Sequence, residues 1–431
     1  EMSASLVGSE MCIRDRMRMN KNIVLLFCAL FFLSACTSKP SSSVPIEDDT
    51  LSTEETFKDI DLANNLKDCG KPLLLSDIVK DVEYVKLETQ DNILVGSINQ
   101  LKRTEKFVFI YSWHQNHVMM FDTSGKFIRK IGSVGQGPGE IANIHCFTVS
   151  DSLVFIYPFG HNGSLIGYDM RDNRFVRRIS LKRPAFHSNM IDVMGDYLVY
   201  YPGTVPNGNE RIFITACVVN GKGETLMEQI PYLPAGGDKS EMNLSSDASW
   251  IYQGRSNVYS QINDTIYGIT CDSIYPRNHL SLGKYGLPLG RYDVKDLGLK
   301  DFIMMQSVCE NKECLLFKFS YNKKMWFSRY DKKTEKIDSW EQTPLKGIGW
   351  MAIESPGITN DIDGSQSFDG IRYTGENSFY FAITPDNLDQ VRRNVAEAKV
   401  KFPEKQAELL KLLDEMGEDD NPIIAFYKLK D

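Results

Sequence analysis

The chain has 431 residues, with 49 Lys and Arg against 57 Asp and Glu, giving a formal net charge of −8. Its charges are scattered without basic blocks, so the clustered positive face that nucleic acids and anionic lipid surfaces require is missing, and neither is an expected partner. The length suits one large β-domain or two ordinary domains.

Residues 1–18 read as an extension ahead of the true start, because a secretory signal begins at its own methionine and Met17 and Met19 are the available ones. Residues 19–35 have the form of a lipoprotein signal peptide. Lys21 supplies the positive start, an apolar run covers 23–33, and Leu33-Ser34-Ala35 leads to Cys36. A spanning helix takes about 20 apolar residues, so this run is too short to cross a bilayer and stay. Cleavage makes Cys36 the first residue and the lipidation site. Its diacylglycerol supplies the two chains that stable anchoring requires. The expected location is therefore the cell envelope, at the outer membrane, with the periplasmic or surface face left open.

Residues 36–59 form a Ser/Thr/Pro/acidic tether too poor in apolar side chains to pack. From about 60 to 385, short runs rich in Val, Ile, Phe and Tyr alternate with turn residues, as in KFVFIYS, SLVFIYP and RIFITACVV. Several runs end in Asp or Asn, followed by a polar turn and an outgoing strand: Asp122, Asp169, Asn220 and Asp331. Such residues cap the amides two positions on, and Gly125 or Gly223 supplies the positive φ that closes the hairpin. The anchors recur about every 50 residues, the mark of a propeller built from four-stranded blades. The fold class is all-β, a six-bladed β-propeller over 60–431 that includes a helical insert.

Ring closure is expected from the ends. DVEYVKLE at 81–88 and IIAFYKLK at 423–430 both have strand patterns, and joining an early strand to the last blade removes the exposed edges. The insert, 387–416, carries Leu388, Val391 and Val395 at helical spacing, then Pro403 opening a second segment with Leu409, Leu410, Leu412 and Leu413. That stripe either covers a blade or docks a partner.

Candidate chemistry is sparse. Cys309 and Cys314 flank four polar residues, so a hairpin there brings the thiols near enough for a disulfide, with a pair of free core thiols as the alternative. Asp361, Asp363 and Asp369 match the start of a calcium loop, but Arg372 or Thr374 stands where its closing glutamate belongs. An Asx-turn accounts for the same residues. Gly132, Gly135, Gly137 and Gly139 lack the Lys-Ser/Thr of a phosphate loop and fit a tight inter-blade connection. His114 and His117 fall on opposite faces of a strand, which argues against a shared metal. No catalytic triad is legible, and no cofactor is implied. Trp113, Trp250 and Trp350 are candidates for stacking on sugar rings.

The lipobox, GKFIRKIGSVGQGPGEI at 125–141, GITNDIDGSQSFDG at 357–370 and the helical insert before a final strand together resemble the six-bladed β-propeller lipoproteins of Bacteroidota, a family similar in architecture to NHL and TolB-type propellers. That resemblance implies a fold and a location but no assigned activity. The expected function is a lipid-anchored, non-catalytic binding or scaffolding module for a protein or glycan. The alternatives are a carbohydrate-active lyase or hydrolase, and a sensor or accessory subunit of an outer-membrane transporter.

Overall fold

Local turn chemistry sets the repeat. Asp122 Oδ1 accepts the amides of Ser124 and Lys126 at 2.9 and 3.0 Å, while Gly125 closes the turn at φ 90°. Asn220 does the same for Lys222 and Glu224. Asp169 accepts from Arg171, and Asp331 from Lys333 and Thr334. Each of these turns joins the third and fourth strands of an antiparallel sheet.

The structure, a computed structural model, describes residues 57–430 except 114, 136, 160–162, 184–190, 208–209, 231–247, 288–300, 343–345, 349–351, 355–356, 369–370, 372 and 376. Cys36, the expected signal and most of the expected tether lie outside the described residues.

Five four-stranded blades follow in chain order, at 98–131, 144–180, 191–229, 249–280 and 304–342. Blade 6 combines both ends of the chain: Tyr373–Gly375, Ser378–Ile383 and Ile423–Leu429 are followed outward by Val79–Lys86. The early strand thus closes the ring as its sequence suggests. Lys58–Ile60 adds in parallel to the outer edge of blade 4, so residues 58 and 59 of the expected tether lie in a strand. A hairpin of Gly203–Asn207 and Glu210–Ile214 is inserted in blade 3, and another of Lys346–Ile348 and Ala352–Glu354 precedes blade 6.

Middle strands are buried on both faces, which explains continuous apolar runs such as FVFIYS rather than alternation. Outer strands carry charge, as in Phe175–Ser180, where only Ile179 is buried. Six apolar clusters result, one per blade interface. Phe109 and Tyr111 of blade 1 meet Phe147 and Val154 of blade 2, and Tyr157 of blade 2 meets Tyr200 of blade 3. Val199 joins Val258, Trp250 joins Phe317, Phe327 joins Phe379, and Phe426 joins Val108 to complete the circle. Each fully buried large side chain contributes about 1.5–3 kcal/mol. This continuous sequence of interfaces is what a closed ring requires and a two-layer sandwich lacks.

The insert forms helices Leu388–Glu397 and Pro403–Asp414. Leu388, Val391, Val395, Leu409 and Leu413 pack on Ile383 and Ile423, so the apolar stripe covers the end of blade 6.

Candidate functional site

Strand direction alternates within a blade, so hairpins between strands one and two and between three and four gather at one end of the ring. The other end receives the turns between strands two and three together with the blade-to-blade connections. That second end carries the inserted hairpins and both helices.

At the long-connection end lies a cavity of about 590 Å³ lined by Ser97, Gln306, Lys318, Gln366, Phe368 and Phe381, among others. Trp113, 56% exposed, is joined to this lining through its backbone, its amide donating to the carbonyl of Ser97 at 3.0 Å. Aromatic faces, amide side chains and a hydroxyl in one recess offer both stacking and hydrogen bonding.

The short-turn end has a cavity of about 750 Å³ whose walls include Thr104, Val149 and Val193, at or just beyond the ends of the innermost strands of blades 1 to 3. One or two residues deeper, Lys102 Nζ approaches Asp192 Oδ1 at 3.8 Å. Blades 1 and 3 are not neighbours, so this pair must pass the inner edge of blade 2, across the axial channel. The Tyr201 hydroxyl and the Ser256 hydroxyl both donate to Asp192 Oδ2, at 2.9 and 2.6 Å.

A second buried charge cluster joins blades 4 and 5. Arg277 meets Glu310 through both guanidinium nitrogens, Lys332 donates to the same carboxylate at 2.7 Å, and Trp250 Nε1 donates at 2.7 Å. Burial raises the Glu310 pKa, but the two cations outweigh it and hold the carboxyl below its ordinary value. Trp250 is therefore a core residue, not a sugar platform; Trp350 lies outside the described residues.

The expected calcium residues serve the ring closure. Asp361 accepts from the Ser76 amide and hydroxyl at 2.8 and 2.6 Å. Asp363 is wholly buried: Oδ2 accepts from Tyr84 and Tyr427 at 2.8 Å each, and Oδ1 from Asn360 and the Ser365 amide. Both carboxylates accept from protein donors, as the Asx-turn alternative has it for Asp363 and the Ser365 amide; Asp369 lies outside the described residues. Among the described residues, no group of three His, Cys, Asp or Glu is placed to hold a metal.

Cys309 and Cys314 do flank a hairpin turn, but Cys309 pairs with Leu316 while Cys314 lies beside Asn311. The thiols are diagonal neighbours and unbridged, each buried in the interface of blades 5 and 6. His117 is half-buried, and burial followed by the Lys130 charge lowers its pKa to about 4; His114 lies outside the described residues. The glycine run at 132–139 forms the connection from blade 1 to blade 2, where Glu140 accepts from the Gly137 amide and Tyr168 donates to the Gly139 carbonyl.

Sequence reasoning missed both charge pairs. Gly268 was one available signal: a Cβ there meets Arg277 Cδ at 2.8 Å, so the glycine opens the path by which the arginine crosses its own blade.

A family model described as a domain of unknown function, DUF4934, matches residues 57–428. A Bacteroides fragilis protein described as exported has 16% sequence identity, with a TM-score of 0.56 over 87% of this chain and 99% of that one. A DUF4221 family member from Bacteroides vulgatus is 10% identical, with a TM-score of 0.45 over 82% of this chain and 97% of that one. No curated protein matches the sequence.

Proposed function

The chain belongs to the DUF4934 family, and from that premise we propose that it is a binding module of the cell envelope, anchored through a lipid on Cys36 at the outer membrane. Its partner, a glycan or a protein, seats at the long-connection end. The observation that carries this reading is the recess of about 590 Å³ lined by Phe368, Phe381, Gln306 and Gln366, mounted on a ring of six blades, with exposed Trp113 bonded through its amide to the lining residue Ser97. A rigid mount lowers the ordering cost of binding, and mixed aromatic and amide linings suit sugar rings or a peptide segment. The exported Bacteroides fragilis protein of like fold supports the envelope setting.

Purified full-length protein on glycan panels, with product analysis, tests the proposal. Binding without turnover, weakened by Trp113→Ala, is the expected result. Turnover of a bound glycan overturns the non-catalytic reading, and a mature N-terminus without acyl chains overturns the anchor.

A further inference from the structure

The net charge of −8 conceals one local reversal. Between positions 169 and 183 stand six cations, Arg171, Arg174, Arg177, Arg178, Lys182 and Arg183, against two carboxylates, Asp169 and Asp172. The fold places this stretch along the outer edge of blade 2, whose last strand, Phe175–Ser180, buries only Ile179. Elsewhere the chain's own N-terminal segment reaches the outer edges, through Lys58–Ile60 on blade 4 and the Asp68–Ser339 bridge on blade 5. Among the described residues, no strand covers the edge of blade 2.

Local carboxylates neutralise part of this charge. Asp169 holds Arg171 at 2.8 Å, Asp172 lies 3.7 Å from Arg174, and Glu228 lies 3.5 Å from Arg183. Arg177, Arg178 and Lys182 are exposed and form no ion pair among the described residues. Arg178, opposite Ile166, stands on the flank toward blade 1; Arg129 of blade 1, opposite Met120, stands on the flank toward blade 2. The Nε of Arg129 has no hydrogen-bond partner among the described residues. Arg177 takes the other flank of blade 2, its guanidinium 5.3 Å from the centroid of the Phe155 ring. Gly221 leaves room for it, since a Cβ there would come within 3.1 Å of Arg177 Nη1.

We propose that the outer edge of blade 2, together with Arg129 of blade 1, is a binding surface for an acidic polysaccharide, a chain of sugars bearing carboxylate or sulfate. Charge selects an anion, and guanidinium groups hold such oxyanions through paired hydrogen bonds. Placement selects a polymer. Arg177 and Arg178 occupy opposite flanks, so a small anion meets one of them, whereas a chain lying across the edge meets both. A strand of this length spans roughly 17–20 Å, and exposed Phe175 and Val176 offer apolar surface to the C–H faces of the sugars. Phe175 is no wedge for a bilayer: it lies against the blade 1 to blade 2 connection, where a Cβ on Gly139 would stand 2.5 Å from its ring. Like charge repels the same edge of a second copy. This surface is separate from the recess at the long-connection end and independent of the lipid anchor.

Calorimetric titration of the full chain with polygalacturonate and heparin oligosaccharides, and with neutral dextran as control, tests the proposal. At least one acidic chain is expected to bind, with affinity that falls steeply as NaCl rises, while dextran does not. The double variant Arg177→Glu, Arg178→Glu is expected to weaken that binding about tenfold or more. Lys333→Glu with Lys336→Glu changes the net charge equally on a turn of blade 5 and leaves the affinity unaltered. If the first double variant does not melt as a folded protein, the exposed single variants Arg178→Gln and Lys182→Glu carry the same test, each lowering the affinity. Absence of binding by both acidic chains overturns the proposal. So does an equal loss in the blade 5 variant, which reduces the effect to net charge. Equal affinity for duplex DNA or for phosphatidylglycerol vesicles also overturns it, because the edge then responds to charge without the sugar. Trp113→Ala leaves this binding unchanged, so the edge and the recess fail separately.

Discussion

Arg277 on the fourth strand of blade 4 reaches Glu310 on the innermost strand of blade 5, and the two meet in a two-pronged ion pair at 2.8 and 2.9 Å. Their side chains are 3% and 0% exposed. Removing one partner of such a pair leaves an uncompensated buried charge, which costs about 3–5 kcal/mol. Glu310→Ala, which strands Arg277 and Lys332 together, is expected to lose that much in urea unfolding. A loss below about 1 kcal/mol shows that solvent reaches the cluster.

Acid titration separates two opposing groups. Burial raises the Asp264 pKa to about 6, above the ~3.9 of an unfolded chain, so its stabilising contribution is full below about pH 4 and is lost as pH rises through 6. His117, held at about 4 against ~6.5 unfolded, acts in reverse: its contribution is full above about pH 6.5 and is lost as pH falls toward 4. Asp264→Asn is expected to stabilise the protein above pH 6 by roughly 2–3 kcal/mol and to change little near pH 4. His117→Gln should flatten the acid side. Urea midpoints from pH 4 to 8 read both, and parallel profiles for Asp264→Asn and the unaltered protein contradict the assignment.

Asp363 links the closing strands by accepting from Tyr84 and Tyr427. Both phenols have raised pKa values, chiefly from burial and then from the Asp363 charge, so they remain donors. Asp363→Ala leaves two buried hydroxyls without their acceptor and is expected to cost roughly 2–4 kcal/mol. Calcium and a chelator should each leave Tm unchanged. A calcium-dependent rise in Tm restores the metal reading.

Thiol reactivity follows burial. Burial raises the pKa of both Cys309 and Cys314, which keeps them as thiols, while Cys271 is exposed. Brief alkylation of native protein should label Cys271 and spare the buried pair until denaturant is added. Mass mapping that finds Cys309 joined to Cys314 reverses the free-thiol assignment.

The parts of the fold legible in the sequence are those set by local chemistry. Asp122, Asp169, Asn220 and Asp331 announce their turns because the side chain and the amides it caps lie within a few residues. The helical stripe is equally local. Lys102–Asp192 and Arg277–Glu310 were not legible, because each joins residues brought together only when the ring closes. The contacts of Asp361 and Asp363 were hidden for the same reason: spacing identified them as ligand types but could not show that Ser76, Tyr84 and Tyr427 supply donors.

The pairing of Val79–Lys86 with Ile423–Leu429 ties folding to the order of synthesis. The strand made ahead of blades 1 to 5 waits for a partner made after them, so blade 6 cannot form until all five have emerged. Such high contact order slows folding and leaves an unpaired edge in the interval. A product lacking Ile423–Leu429 leaves Val79–Lys86 and Ser378–Ile383 without the strand between them, so its circle stays open.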